Sequence, residues 1–418
     1  MGSLGYRLFD ADNHYYEPPE LFERYIDPAY RERTYRLVKE ADGSEVIYFD
    51  GEPYGHVSGL GLKRRVRPGG LRAALRHNHA PEGGSSTGSP ERPIGWSDPE
   101  ADDSYAGDPS ARVALMDRQG IDATLIFPTA GVTIQHRMFD DPEMTAAHVD
   151  AFNRWLAETW TFNYHDRIIA PAMVSLIDRD LAIATLDYAL TRGARAIQIL
   201  PGPAVWGTSP VDDIFDPFWA KVNEAGLLVT YHLGNSGYME RYSADWGENP
   251  DPDGLHGPAA GRSAWQWAML YRDRPIMDTV ANLIFGNLFA RFPDIRVISV
   301  ENGSIWVPYL LRAMDNMKGM GRYGPWKHGY LEGRPSEIFK ANVFVSPHHY
   351  GEDIGALVDL LGPSQVLFGS DFPHAEGMSD IDDYQEKATT LANNLRHDEN
   401  QVRQVMRENG MVLVGLNW

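Results

Sequence analysis

Eight short apolar runs, alternating with helical patterns, constrain the fold of this chain more than any other feature. The runs lie near residues 6–12, 121–127, 168–175, 195–200, 226–232, 295–301, 342–346 and 365–371. Each is almost continuously apolar, which is typical of parallel strands that are buried on both faces. Eight βα units predict an α/β fold, a (β/α)₈ TIM-like barrel, rather than an open sheet.

Helical patterns lie between several of these runs. Apolar residues at helical spacing predict helices over Pro109–Gln119, Ala146–Asn163, Leu181–Thr191 and Ile214–Glu224. Gly120, Gly193 and Gly226 follow three of these segments. Glycine readily adopts the left-handed conformation that ends many helices, so these positions are expected to be helix ends.

Two long interruptions break the alternation, at 36–108 after the first strand and at 235–280 after the fifth. The first begins with the alternating run Glu45–Phe49 and an Asp-Gly turn, which indicates a hairpin, and its stretch 83–90 has the composition of a mobile loop. The second is rich in Gly, Pro, Trp and Tyr. Because both follow strands, we expect them to cap the C-terminal face of a single domain over 1–418.

The composition limits both the partners and the metal ligands of the chain. Lys and Arg number 38 against 58 Asp and Glu, so the net charge of −20 argues against nucleic acid and anionic membranes as partners. There is no cysteine, so a metal would be held by His, Asp or Glu. The sequence has no secretory signal and no run of about 18 apolar residues, which predicts a soluble cytoplasmic protein.

Polar residues with metal-ligand chemistry end three of the predicted strands. Asp12 and His14 lie two apart on the first strand and so share a face. His232 ends the fifth strand and Asp371 ends the eighth. Each alone has a simpler explanation, since His14 and Asp371 are suited to cap the segments that follow and His232 to form a structural hydrogen bond. Together, on the face where barrel enzymes place catalytic groups, they predict a metal site.

Longer motifs surround these residues. They are Asp10-Ala11-Asp12-Asn13-His14-Tyr15-Tyr16-Glu17-Pro18, Gly120-Ile121-Asp122-Ala123 before Phe127-Pro128-Thr129, Tyr231-His232, Glu301-Asn302-Gly303, and Gly369-Ser370-Asp371-Phe372-Pro373-His374. With these motifs the chain resembles the amidohydrolase superfamily, in the branch that includes aminocarboxymuconate-semialdehyde decarboxylase and γ-resorcylate decarboxylase. The resemblance spans nearly the whole chain and implies a metal-dependent enzyme with a barrel fold.

The resemblance implies a set of metal ligands, which falls on Asp12, His14, His232 and Asp371. Many relatives have His-x-His on the first strand, and an acidic first member occurs in manganese-dependent decarboxylases. The fourth strand, at 196–200, has no counterpart of the carbamylated Lys of binuclear relatives. One divalent ion, Zn²⁺ or Mn²⁺, is therefore expected.

The sixth strand departs from the family pattern. Characterised decarboxylases have a His there, whereas this chain has Glu301. Glu301 is a candidate general acid or base, and its alternatives are an ion pair with a nearby Arg or a hydrogen bond to His232. His348 and His349, at the end of the seventh strand, are the other catalytic candidates together with Asp371.

Further candidates lie around the expected site. Glu17 follows the first ligands and is expected to orient them or to reach the substrate, with a helix N-terminus before Pro18–Leu21 as its alternative place. His374 is expected just outside the ligand set. The second insertion offers candidate pocket residues, namely Tyr238, Tyr242, Trp246, Trp265, Trp267, Tyr271, Arg241, Arg262 and Arg272. Of these, Tyr238, Arg241 and Trp246 are predicted to contact substrate. The alternative is that the aromatic residues pack the insertion itself or a subunit interface.

The expected function is that of a mononuclear metal-dependent hydrolase or non-oxidative decarboxylase. Its substrate is expected to be a small aromatic or unsaturated carboxylate. Two alternatives remain open: a hydrolase of esters, lactones or amides that uses metal-activated water, and a barrel that binds a ligand without turnover. A homodimer is expected, because the branch often forms dimers.

Overall fold

A computed structural model gives the fold of the chain. It describes residues 4–41, 45–53, 67–71, 103–205, 207–248, 263–270, 273–348 and 351–416. The strands are β1 (Leu8–Tyr15), β2 (Arg36–Lys39), β3 (Glu45–Phe49), β4 (Glu52–Pro53), β5 (Ile121–Pro128), β6 (Asn163–Tyr164), β7 (Ile168–Ile169), β8 (Ala172–Met173), β9 (Ala196–Gln198), β10 (Leu228–His232), β11 (Arg296–Val300) and β12 (Val343–Ser346).

Nine of these strands form two sheets, largely by parallel pairing, and the two sheets together form a barrel, while β2, β3 and β4 form a separate antiparallel sheet. One sheet has the order β1-β5-β7-β6 and the other the order β12-β11-β10-β9-β8. Only β6 runs antiparallel to its neighbour in these two sheets. The predicted (β/α)₈ barrel is therefore confirmed.

The segment after β12 closes the barrel between the last strand and the first. Leu367 N donates to Val345 O at 2.9 Å, on the side of β12. On the side of β1, Ala11 N donates to Phe368 O and Asp371 N donates to Asp12 O, both at 2.8 Å. First and last motifs of the sequence thus become neighbours, as a closed barrel requires.

Two strand predictions need correction. The run 168–175 forms two short pieces, β7 and β8, because Ala170 N turns away to bond Phe162 O. The run 365–371 makes isolated bridges at Val366 and Phe372 rather than a regular ladder, since Asp371 has a φ of 56° that interrupts the extended backbone. Both segments still form part of the wall of the barrel.

Helices surround the strands. They are α1 (Leu21–Tyr25), α2 (Pro109–Gln119), α3 (Pro142–Thr159), α4 (Arg179–Leu190), α5 (Asp216–Ala225), α6 (Tyr238–Asp245), α7 (Ala264–Leu270), α8 (Asp273–Phe285), α9 (Leu288–Arg291), α10 (Trp306–Met320), α11 (Pro335–Asn342), α12 (Ile354–Leu361), α13 (Tyr384–Asn394), α14 (Glu399–Arg403) and α15 (Asn409–Leu413). In the described part of the chain, none of them has the length and apolarity that a membrane crossing demands.

Local capping explains where the predicted helices begin and end. For α2 the bounds agree with the prediction: Asp108 accepts from the backbone N–H groups of Ser110 and Ala111, and Gly120 ends the helix at φ 72°. Helix α3 begins four residues earlier than expected, because the Asp141 side chain accepts from Met144 N and Pro142 occupies the first turn. It correspondingly ends at Thr159 rather than at 163.

The residues of a barrel strand are divided between two apolar layers, as β5 shows. In β5, Ala123, Leu125 and Phe127 belong to a small cluster inside the barrel, whereas Ile121 and Ile126 belong to the larger cluster between strands and helices. All of these side chains are buried. This double burial is the reason that the strands are almost continuously apolar in sequence.

Parts of both insertions are described. The predicted hairpin is confirmed, since β3 pairs antiparallel with β4, and β2 adds a third strand that was not predicted. The stretch 83–90 lies outside the described residues. At 67–71, Gly69 N donates to His374 O and Leu71 N to Ala375 O, so this piece contacts the loop after the eighth strand. The capping role of the insertions stays a prediction.

Candidate metal centre

Strand β1 brings Asp12 and His14 to the carboxyl end of the barrel. Its register with β5 is irregular between Asp10 and Asn13. Phe9 and Ala11 face the barrel interior, and within and after the irregularity Asp12 and His14 join the polar cluster. A bulge of this kind re-aims side chains next to many active sites.

The two imidazoles are oriented by backbone carbonyls. His14 Nδ1 lies 3.1 Å from Pro128 O, and His232 Nδ1 lies 2.7 Å from Leu233 O. A carbonyl only accepts, so each Nδ1 carries the proton and each Nε2 keeps its lone pair. Burial, with the nearby His374, also lowers the pKa of His14 to about 3, so its ring is the neutral form that binds metals.

Glu301 and Asp371 come from the sixth and eighth strands and complete the cluster. Both have left-handed backbone, with φ of 60° and 56°. Such conformations cost roughly 1–3 kcal/mol for residues other than glycine and concentrate at functional sites. Here they end the extended backbone where the two carboxylates meet His14 and His232.

The polar atoms of the cluster lie close together. His14 Nε2 lies 3.3 Å from an oxygen of Asp12 and 3.3 Å from an oxygen of Asp371. His232 Nε2 lies 3.4 Å from Asp12 Oδ1 and 3.3 Å from Glu301 Oε2. Ligand atoms around a tetrahedral zinc ion would be about 3.4 Å apart. The spacing therefore fits a metal ion at the centre of the group.

Several of these buried atoms have no hydrogen-bond partner within the described residues, namely Asp12 Oδ1, His14 Nε2, His232 Nε2 and Asp371 Oδ2. Leaving a buried polar atom unpaired costs about 1–3 kcal/mol, and more for a charged one. Ligand atoms of Asp12, His14 and His232, with one of Glu301, lie within 4.8 Å of one another, and this convergence is accounted for if a cation binds there. Asp371 lies beside His14 in a second group of this kind, with Glu301 and His374. The residues thus fit a divalent metal ion.

The negative charges of the cluster also favour a bound divalent cation. Burial, followed by the carboxylates of Asp371 and Asp12, raises the pKa of Glu301 well above its usual range. Burial, followed by Asp12, likewise raises the pKa of Asp371. Three carboxylates in one buried cluster repel one another, and a divalent cation would offset that repulsion.

His374 supports the cluster from outside. Its Nδ1 donates to Asp371 Oδ1 at 2.7 Å, its Nε2 lies 3.0 Å from Thr129 Oγ1, and its ring stacks on His14 with centroids 3.9 Å apart. These contacts fix the direction of Asp371 and of His14. Hydrogen bonds of this kind orient and tune metal ligands.

Sequence reasoning missed a buried network beneath the ligands. Asp10 accepts from Asn13 Nδ2, from Ser370 Oγ and from Tyr384 OH, at 2.5–2.8 Å. Arg112 in turn donates to Asn13 Oδ1 and to His14 O. The network ties β1 to the eighth strand immediately below Asp12 and Asp371. One sequence feature could have revealed this network, the second aspartate in Asp10-x-Asp12. Asp10 lies two residues before Asp12 on β1 and bonds to the network instead of joining the proposed metal ligands.

Glu17 and His348 occupy different positions relative to the cluster. The Glu17 carboxylate is buried and accepts from the backbone N–H groups of Thr129, Ala130 and Gly131. These bonds account for its burial, and its contact with substrate stays a prediction.

His348 is buried with Nε2 3.9 Å from Asp371 Oδ2, within reach of the site. His349 lies outside the described residues.

The candidate pocket residues of the second insertion are dispersed. Tyr238 is buried and its hydroxyl lies 3.2 Å from Asp278, while Trp246 is 73% exposed and packs on Trp265. Arg241 lies on α6. Tyr271, Arg262 and Arg272 lie outside the described residues. The substrate contacts expected of Tyr238, Arg241 and Trp246 stay predictions.

Known proteins share both the sequence pattern and the fold. A family model described as amidohydrolase matches residues 62–416. The structure of an amidohydrolase from Mycobacterium avium subsp. paratuberculosis K-10 is 31% identical over 98% of this chain and 100% of that chain, with a TM-score of 0.81. No curated protein matches the chain.

Two solved decarboxylases share the fold at lower identity. One is a 5-carboxyvanillate decarboxylase from Novosphingobium aromaticivorans DSM 12444, complexed with manganese and 4-hydroxy-3-methoxy-5-nitrobenzoic acid. It is 16% identical over 100% of this chain and 98% of that chain, with a TM-score of 0.57. The other is a dihydroxybenzoic acid decarboxylase from Polaromonas sp. JS666 with manganese and 2-nitroresorcinol. It is 14% identical over 99% and 98% of the two chains, with a TM-score of 0.54.

Proposed function

The chain belongs to the amidohydrolase family, and from this premise we propose that it is a mononuclear metal-dependent hydrolase or non-oxidative decarboxylase of small molecules. The proposed ligands are Asp12, His14, His232 and Asp371. Two observations support the proposal: ligand atoms of Asp12, His14 and His232 lie within 4.8 Å of one another, and an oxygen of Asp371 lies 3.3 Å from His14 Nε2. Glu301 is close enough to His232 to act as a fifth ligand or as a proton carrier.

Manganese and zinc both suit this set of ligands. Two carboxylates and two imidazoles do not by themselves select between the two ions. The manganese present in two decarboxylases of the same fold supports Mn²⁺ as the first ion to test. A divalent metal, when bound, supplies Lewis-acid polarisation of a carbonyl or carboxylate and acidifies water.

In hydrolysis, Asp371 would transfer the proton from the attacking water to the leaving group. Asp371 Oδ2 is buried and unpartnered, and is placed to accept the proton of the attacking water. The carbonyl carbon gains the oxygen of that water and its bond to the leaving group breaks. The proton then passes from Asp371 to the leaving oxygen or nitrogen, while His374 holds Oδ1 in place.

Between the two reactions, Glu301 favours hydrolysis. With Asp12 and Asp371 it brings three carboxylates to one buried site. A substrate with its own carboxylate would add a further negative charge beside Asp12 and Asp371, whose two charges a divalent ion only just balances. A neutral ester, lactone or amide avoids this repulsion, so we propose hydrolysis of such a group as the first candidate.

Decarboxylation is the second candidate, supported by the fold shared with manganese-containing decarboxylases and by the raised pKa of Glu301. A protonated Glu301 would give its proton to the substrate carbon. The bond from that carbon to the carboxylate breaks, carbon dioxide leaves, and the electron pair accepts the proton. The expected substrate of this reaction is a hydroxybenzoate or an unsaturated acid.

The products distinguish the two reactions. The Mn²⁺-loaded protein is incubated with a panel of neutral aryl esters, lactones and anilides, and separately with hydroxybenzoates. Release of the alcohol or amine without carbon dioxide supports hydrolysis, and carbon dioxide release from a hydroxybenzoate overturns it in favour of decarboxylation. Ligand binding without turnover, unchanged by a chelator, would contradict both reactions.

The cytoplasmic location of the protein stays a prediction.

A further inference from the structure

Asn302 follows Glu301 in the sequence and lies at the carboxyl ends of two neighbouring barrel strands. Its side chain is fully buried. Asn302 Nδ2 donates to Tyr231 O at 2.9 Å and to Val300 O at 3.0 Å, with a longer contact of 3.3 Å to Ser299 Oγ. One amide nitrogen thus joins the end of β10 to the end of β11.

The amide of Asn302 acts as a donor. A backbone carbonyl only accepts hydrogen bonds, so the amide atom that faces Tyr231 O and Val300 O is the nitrogen. The amide oxygen, Oδ1, is buried and has no hydrogen-bond partner among the residues that the structure describes. The side chain therefore contributes to the fold through its two short donor bonds.

The two accepting carbonyls lead directly to residues of the metal centre. Tyr231 precedes His232, and Val300 precedes Glu301. Because a peptide unit is planar, a hydrogen bond that fixes its carbonyl oxygen also fixes the nitrogen of the next residue. Asn302 thereby restrains the two peptide units from which His232 and Glu301 extend.

Glu301 is the residue of this pair whose backbone conformation needs support. Its φ of 60° lies in the left-handed region, at a cost of roughly 1–3 kcal/mol. Glu301 N donates to Ser346 O at 3.2 Å on one side, and Asn302 holds Val300 O on the other. The net contribution of a hydrogen bond is about 0.5–1.5 kcal/mol. The donor bonds of Asn302 are therefore of the size needed to offset this conformation.

We propose that Asn302 is a positioning residue of the metal centre, whose amide holds His232 and Glu301 at a spacing at which both can contact one ion. Glu301 Oε2 lies 3.3 Å from His232 Nε2, close to the distance of about 3.4 Å between ligand atoms around a tetrahedral zinc ion. This role rests on the proposed function, because it concerns how tightly the metal ion is held.

The affinity for Mn²⁺, measured by competition with a chelator, tests this role. Asn302→Leu keeps the branched shape of the side chain and removes the donor. We expect it to weaken Mn²⁺ binding by about 10–100-fold, the usual effect of losing a group that orients metal ligands. Wild-type protein and a matched control are measured in the same way.

The matched control is Asn153→Leu. Asn153 is also buried, and its amide donates to Met173 O at 2.8 Å and accepts from Met173 N at 2.9 Å. Met173 belongs to β8, which carries no proposed ligand. Both variants are expected to lower the free energy of unfolding, but Asn153→Leu should keep the wild-type affinity for Mn²⁺.

The visible absorption spectrum of bound Co²⁺ separates positioning from a general loss of stability, because it reports the coordination geometry of the ion. Asn302→Leu is expected to change this spectrum and Asn153→Leu to leave it unchanged. If Asn302→Leu does not fold, Asn302→Ser replaces it in both measurements. Serine keeps one donor in a smaller side chain, so the expected loss of affinity is smaller but still greater than in the control.

The outcomes distinguish this role from the proposed function itself. An unchanged affinity for Mn²⁺ or an unchanged Co²⁺ spectrum in the Asn302 variant would overturn the positioning role and leave the metal-dependent function in place. Equal losses of affinity in the Asn302 and Asn153 variants would also overturn it, because stability alone would then control metal binding. A wild type that binds no metal would overturn both.

Discussion

His374 Nδ1 donates a hydrogen bond to Asp371 Oδ1 across 2.7 Å. The same imidazole stacks on His14, so one side chain restrains two proposed ligands that come from opposite ends of the sequence. The first and last strands are neighbours in the closed barrel, which is why residues 360 positions apart can share this support. His374 is thereby a positioning residue.

Replacing His374 by Gln is expected to weaken metal binding or activity by about 10–100-fold, the usual effect of removing a hydrogen bond to a metal ligand. The fold should be retained, because the side chain is partly exposed. Metal affinity by competition with a chelator and steady-state kinetics provide the measurement. His397→Gln, which alters an imidazole of similar exposure that pairs with Asp359 instead of a proposed ligand, is the control and should leave both values unchanged.

Glu301→Gln is expected to keep the shape of the side chain while removing its capacity to carry a proton. If Glu301 is the proton carrier, kcat should fall by about 10²–10⁴-fold, with metal content still near one ion per chain. Metal analysis and kinetics on the same preparation check both parts. Unchanged kcat would exclude Glu301 from the reaction.

Gly369 has no room for a side chain. A Cβ there would lie 2.4 Å from Ser346 Oγ and 2.6 Å from Asp12 Cβ. Gly369→Ala is therefore expected to lower the free energy of unfolding by about 1–3 kcal/mol and to displace Asp12, reducing metal content. Urea unfolding and metal analysis measure these effects. In the control Gly107→Ala the added Cβ meets no atom within 4 Å, and a cost like that of Gly369→Ala would argue against the steric explanation.

Part of this architecture is readable from local sequence and part is not. The apolar strands and the proposed ligands Asp12, His14, His232 and Asp371 follow from patterns within a few residues of each other. The hydrogen bond between Asp10 and Tyr384 does not, because it joins residues 374 positions apart. The split of 168–175 into β7 and β8 also depends on a tertiary contact, the bond from Ala170 N to Phe162 O.

Position 301 illustrates the same limit within the site. The sequence shows a glutamate at the end of the sixth strand, but not where its carboxylate points. Its distance of 3.3 Å from His232 Nε2 is a property of the folded barrel, set by the left-handed backbone at Glu301. No local pattern in the sequence specifies that conformation for a glutamate.

Stability is expected to fall in mild acid because of His148. This imidazole is buried, with Nδ1 2.9 Å from Met144 O and Nε2 3.0 Å from Thr34 Oγ1. Burial lowers its pKa from 6.5 to about 4, so between these values the unfolded chain takes up a proton that the folded chain does not. The contribution of His148 is thus full above pH 6.5 and declines as the pH falls toward 4.

The expected loss from His148 between pH 7 and pH 5 is about 2 kcal/mol of unfolding free energy. Urea unfolding at both pH values measures it. Other groups also titrate in this range, so the informative quantity is the difference between wild type and His148→Gln, which lacks this titration. Equal pH dependence in the two proteins would show that His148 does not contribute.

The metal content of the purified protein tests the central claim most directly. After removal of metals and incubation with excess Mn²⁺ or Zn²⁺, followed by desalting, elemental analysis should find one ion per chain in the wild type. The double variant His14→Ala, His232→Ala should retain none while keeping its circular dichroism. A wild type without bound metal, or a double variant that binds as much as the wild type, would contradict the account.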